Sequence, residues 1–210
     1  MTFGFFPPDV VPPTSYEEIT LVITTMMFSI VRSFILIFPP LVFLMLFPND
    51  TWGKVLHTRE EVPTLAFPDA EHTEIQRLAL SEEDQKQVTT LAKTKLESPH
   101  ITYYVGYKNE KLLGYAFLET LTIRTLPGAF LVVVSPAGIV KKVMVLAFHE
   151  PEDYLPTERW LRQFEQKSLN HPPQLHHGIH GIAGATLSSQ AATSAVRLSL
   201  ALFQFLQDKK

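Results

Sequence analysis

The sequence predicts an α+β protein: a largely antiparallel sheet flanked by helices, preceded by one N-terminal transmembrane helix. Three observations predict it. Residues 101–148 are filled by β-branched and aromatic runs broken by short turn sequences, the signature of strands and hairpins. Helical stripes lie on either side of that block, so strands and helices are segregated along the chain. Residues 28–47 are almost wholly apolar, about the 20 residues a helix needs to cross a hydrocarbon core of ~30 Å.

On this reading the 210 residues divide into an N-terminal extension (1–27), a transmembrane anchor (28–47), a linker (48–70) and one domain (71–210). Arg32 lies near one end of the apolar run, where its head can snorkel to the interface, and Pro39-Pro40 interrupts the middle. A cleaved secretory signal is the alternative, with Arg32 as its basic region. No small-x-small cleavage pattern follows Phe47, which favours a retained anchor. The extension carries Pro7-Pro8, Pro12-Pro13 and Glu17-Glu18 where a leader would carry basic residues, and Met26-Met27 offers a later start.

The elements then follow in order. Thr51–Asp69 is polar with scattered proline and reads as a linker. Glu71–Ser98 reads as helix: Leu78, Val88, Leu91, Ala92 and Leu96 give a patchy apolar stripe, and Ser81 with Asp84 forms a start resembling a capping box. From Ile101 the period changes, and Lys108-Asn109-Glu110 splits two runs into a hairpin. Ser135-Pro136-Ala137-Gly138 is a second turn, with Val132–Val134 and Val143–Leu146 as buried strands around it. "LPTERWLRQFEQKSL" reads as an amphipathic helix capped by Thr157, with Trp160, Leu161 and Phe164 on one face. A His/Pro loop follows, and "SSQAATSAVRLSLALFQFLQ" closes the chain as a helix.

Composition narrows the function. The chain has no cysteine, which rules out disulfides, thiolate metal sites and iron–sulfur ligation, so redox chemistry would need an organic cofactor. A net charge of −3 is no footprint for nucleic acid. His171, His176, His177 and His180 crowd one stretch, but Pro172-Pro173 and Gly178 break it into loop, and a zinc site would want three or four convergent ligands.

The segment "HGIAGATLSS", residues 180–189, stands out. The first N–H groups of a helix lack internal partners and carry partial positive charge, which makes an anion site. Gly181 and Gly184 would let a ligand approach the backbone closely. Thr186, Ser188 and Ser189 offer hydroxyls. The segment has neither the lysine of a phosphate-binding P-loop nor the GxGxxG spacing of a dinucleotide site. The plain alternative is an ordinary cap, with Ser188 or Ser189 satisfying the helix donors.

This stretch resembles the flavin-attachment motif of the FMN-binding domain family, whose members include flavin-carrying components of the Rnf electron-transport complex and of the sodium-pumping NADH:quinone reductase. The family pattern is Asp-Gly-x-Ser-Gly-Ala-Thr-x-Thr/Ser-Ser; here His180 stands in the aspartate position and Ala183 in the serine position. The strand-turn-strand segment "VVVSPAGIVKKVMVLAFHE" is similar as well. The resemblance implies FMN as cofactor, with its phosphate at Thr186 and in the family esterified there by a flavin transferase that uses FAD as donor. It implies cofactor contacts from Gly184, Ala185, Leu187, Ser188, Ser189, His180 and Gly181, and no catalytic residue or metal. Its expected role is to relay electrons between redox partners at a membrane, with the domain on the extracytoplasmic, periplasmic side. Tyr103, Tyr104, Tyr107, Tyr115 and Trp160 are candidates to stack on the ring, and His149 and Glu150 to line the pocket. Two other readings stay open: a binding or assembly module of the same fold without flavin, and a His-rich metal-binding protein.

Overall fold

The computed structural model describes residues 53–209. The expected extension (1–27) and anchor (28–47) lie outside them. Among the described residues no helix is long and apolar enough to cross a membrane.

Six strands form one antiparallel sheet: β1 (Lys54–Val55), β2 (His72–Ala79), β3 (His100–Lys108), β4 (Lys111–Thr122), β5 (Pro127–Val134) and β6 (Val140–Phe148), in the order β1-β6-β5-β4-β3-β2. The α-helices among the described residues are α1 (Val62–Ala66), α2 (Glu82–Ala92), α3 (Glu158–Leu161) and α4 (Thr186–Asp208). Two short strands, β7 (Gln174–Leu175) and β8 (Gly178–Ile179), pair in parallel within the His/Pro loop. The α+β architecture is therefore as expected, and both turns fall where the sequence puts them. Asn109 and Glu110, in the β3–β4 hairpin, both take left-handed conformations, the geometry of a tight hairpin turn.

The sheet is covered on both faces. On one, α2 and α4 bury Val88, Ala92, Ala195, Val196 and Leu202 against Val105, Phe117, Phe130 and Val132. Ala191, Ala192 and Ala195 leave no bulk between α4 and its neighbours. On the other face, Val62, Ala66 and Phe67 cover Tyr104, Ala116, Leu131, Val133 and Leu146. Gly106 is required by that second layer: a Cβ there would meet the Phe67 ring at 2.5 Å.

Three sequence expectations need correction. Glu71–Ser98 is not one helix. Its first part is strand β2, paired with β3 from His72↔Tyr107 to Ala79↔His100. It is an edge strand with Ile75 55% exposed, so the apolar alternation that marks a half-buried strand is missing, and tertiary pairing decides. The helix begins at Glu82, behind the Ser81–Asp84 capping box, which forms in both directions. The segment read as a linker is also structured: Lys54 and Val55 pair with Phe148 and Ala147, and Val62 of α1 is fully buried. Finally, Thr157 does cap α3 through the Trp160 N–H, but the regular helix ends after one turn and passes into a 3₁₀ turn over Arg162–Phe164.

Candidate functional site

Helix α4 starts at a turn built by its own small residues. Gly184 has φ +77°, a conformation that side chains resist, and the Ala185 N–H donates to the Ile182 carbonyl at 3.0 Å. Ser189, fully buried, fixes this turn: its hydroxyl accepts the Ile182 N–H at 2.9 Å and donates to the Ala185 carbonyl at 3.1 Å. The structure thus gives Ser189 an internal task. Its neighbour differs. Ser188 is 1% exposed, makes no side-chain hydrogen bond among the described residues, and lines a cavity at the helix entrance. No side chain caps α4, so the ordinary-cap alternative is not what the hydroxyls do.

The cavity has a volume of about 240 Å³. Its walls are Gly184, Ala185, Thr186, Leu187 and Ser188 from the helix entrance, Ile123 and Arg124 from the β4–β5 turn, and Glu150 and Tyr154 from the segment after β6. Thr186 is exposed and its hydroxyl has no protein partner among the described residues. Leu187 is 43% exposed, an apolar side chain beside the opening. Five of the eight residues that the motif implies as cofactor contacts meet at this cavity. His180, Gly181 and Ser189 do not line it.

Two charges flank the entrance. Arg124 escapes the sequence reading: a single arginine in a turn carries no local signal, and only the β4–β5 pairing brings it to α4. Glu150, a pocket candidate from the sequence, does line the cavity. Its Oε1 accepts the backbone N–H groups of Thr125 (2.9 Å), Leu126 (3.0 Å) and Arg124 (3.2 Å). The Thr125 N–H, aided by those of Leu126 and Arg124, holds the carboxyl below its ordinary range despite its burial. That nest of donors offsets the carboxylate charge and fixes the turn that carries Arg124.

The loop before the helix is latched from α3 and the 3₁₀ turn that follows it. Trp160 Nε1 donates to the His180 carbonyl at 2.7 Å, and the His180 N–H donates to Gln163 Oε1 at 2.9 Å. Trp160 therefore holds the loop rather than lining the cavity. Tyr103, Tyr104, Tyr107 and Tyr115 belong to the sheet and its packing; the aromatic ring that does reach the cavity is Tyr154. His149 bonds the Pro127 carbonyl and stays outside. Among the described residues, no three His, Asp or Glu side chains are grouped to hold a metal ion.

No family model matches the chain. No curated protein matches it either. Among solved structures, the crystal structure of Shewanella oneidensis NqrC is similar, with a TM-score of 0.50 at 17% identity, covering 68% of this chain and 86% of that one. At that identity the likeness is one of fold.

Proposed function

We propose that this protein is a membrane-anchored flavoprotein that holds FMN by its phosphate at the entrance of α4 and relays electrons, with its domain on the extracytoplasmic side. One observation carries the reading: an uncapped helix N-terminus at which Ser188, a buried residue whose hydroxyl has no protein partner among the described residues, shares a cavity with Arg124 and the open Thr186 hydroxyl. Helix donors, a guanidinium and hydroxyls together suit a phosphomonoester. The resemblance of residues 180–189 to the flavin-attachment motif supports it, and so does the fold shared with an NqrC.

The residues fit the phosphate end of the cofactor. At about 240 Å³ the cavity is smaller than the ~300–1,000 Å³ that encloses a whole drug-sized ligand, so it suits the phosphate and the polyol next to it. The helix N–H groups, Ser188 and Arg124 would hold the phosphate, and Glu150 would accept polyol hydroxyls. When bound, flavin supplies two-electron uptake and one-electron release. Its partners are then redox proteins at the same membrane.

Thr186 is open to attack on a donor. If a flavin transferase acts, the Thr186 oxygen forms a bond to the FMN phosphorus of FAD. The pyrophosphate linkage breaks, AMP leaves, and the hydroxyl proton is released. The test is spectroscopic. Full-length protein purified from its native membrane should be yellow, and a covalent flavin stays fluorescent on a denaturing gel. Thr186→Ala should remove that gel signal, and Arg124→Ala should weaken uptake of added FMN by at least about tenfold, the loss of a charge-assisted phosphate contact. A colourless protein that takes up no added FMN would leave the flavin-free binding module as the better account.

A further inference from the structure

Strands β3 and β4 do not stay paired along their length. Their ladder runs from Lys108↔Lys111 to Tyr103↔Phe117 and stops there. Beyond it β3 pairs only with β2, through Thr102↔Arg77 to His100↔Ala79, and β4 only with β5, through Leu118↔Leu131 to Thr122↔Pro127. The sheet is split at this end, and a cavity of about 270 Å³ lies in the split, bordered by both strands.

Glu119 sits at this opening. Its position on β4 directs it to the helix-covered face, where the Ser199 hydroxyl of α4 donates to its Oε1 at 3.3 Å. Glu119 is 5% exposed, and its second carboxyl oxygen has no protein partner among the described residues. The cavity it lines also holds Arg59, Glu97 and His100. Glu97 is engaged elsewhere, accepting the Thr122 N–H and hydroxyl. Neither Arg59 nor His100 pairs with Glu119. Its neighbour on β5 is the apolar Phe130, and Arg197, two residues before Ser199, projects from another side of α4.

A carboxylate without a counter-ion inside a protein is costly, and taking up a proton removes that cost. A cavity of this size with polar walls, Ser98, Thr102 and Thr120 among them, admits water. We propose that the split between β3 and β4 is a proton-exchange site, in which Glu119 takes a proton from solvent through the cavity and its ionisation loosens the seat of α4 on the sheet. The chemistry is an acid–base equilibrium: burial favours the neutral carboxyl and outweighs the Ser199 hydroxyl, which as a donor favours the ionised form, and ionisation draws water into the split to solvate the charge. Burial raises the Glu119 pKa to about 7, within the range where such a site responds to ordinary changes of pH.

The experiment is a side-chain carboxyl titration by NMR on the full chain, together with amide hydrogen exchange along α4 in mildly acidic and mildly alkaline buffer. The expected result is a Glu119 midpoint well above that of a free glutamate, and at least about tenfold less protection around Ser199 at the higher pH, after correction for the intrinsic exchange rate. Glu119→Gln should abolish that pH dependence while leaving α4 as protected as in the wild type at low pH. A Glu119 midpoint at the ordinary carboxyl value would overturn the proposal. So would an unchanged pH dependence of protection in Glu119→Gln. Should that variant unfold, the wild-type midpoint alone decides.

Discussion

At the residue scale, the entrance of α4 separates side chains that look alike in sequence. Ser188 and Ser189 are adjacent hydroxyls, yet one faces the cavity and the other staples the turn. Ser189→Ala removes one buried and one part-buried hydrogen bond and should cost about 1–3 kcal/mol in chemical denaturation; Ser188→Ala should cost little stability and act on ligand uptake. Gly184 makes a different point. A Cβ there would meet nothing within 4 Å, while φ is +77°. Gly184→Ala should therefore lower stability by about 1 kcal/mol through backbone conformation alone. A much larger loss would mean a steric contact that the structure lacks. The motif residues are legible because they are consecutive; Arg124 and Tyr154 are not, since long-range strand pairing and the turn after β6 bring them in.

At the scale of elements, the sequence announces those whose signals are local. The capping box of α2 is read directly from Ser81 and Asp84, and it forms. Ser81→Ala should cost about 1 kcal/mol, measured by thermal or denaturant unfolding. Both hairpin turns are legible for the same reason. Strand β2 is not: an edge strand of mixed polarity has no alternation to read, and its continuous ladder to β3 settles it. The same holds for β1, a short strand whose partners on β6 lie far along the chain. The latch between α3 and the loop is equally non-local. Trp160→Phe keeps an aromatic ring to pack against Phe164 but loses the bond to the His180 carbonyl, so it should weaken phosphate or FMN uptake by several-fold while costing only about 1 kcal/mol of stability.

For the whole molecule, three perturbed acids among the described residues shape how stability depends on pH, and they act in opposite directions. Glu150 is held below its ordinary value by the Thr125 N–H and its neighbours, and Asp84 by its bond to Lys209. Each contributes stability above the carboxyl's unfolded pKa that is lost as pH falls through the folded one. Glu119 is raised, from 4.5 to about 7. The unfolded chain releases that proton first, so stability falls as pH rises from 4.5 towards 7 and then levels off. A shift of this size is worth about 3 kcal/mol. Wild-type unfolding free energy should therefore peak in mildly acidic solution and decline towards neutrality. Glu119→Gln, which keeps the shape and cannot ionise, should remove that decline and leave only the acid-side loss from Glu150 and Asp84. Denaturant midpoints from mildly acidic to mildly alkaline solution distinguish the cases for the two proteins: parallel curves would mean that Glu119 titrates alike in the folded and unfolded chain, and that the split between β3 and β4 does not keep it dry.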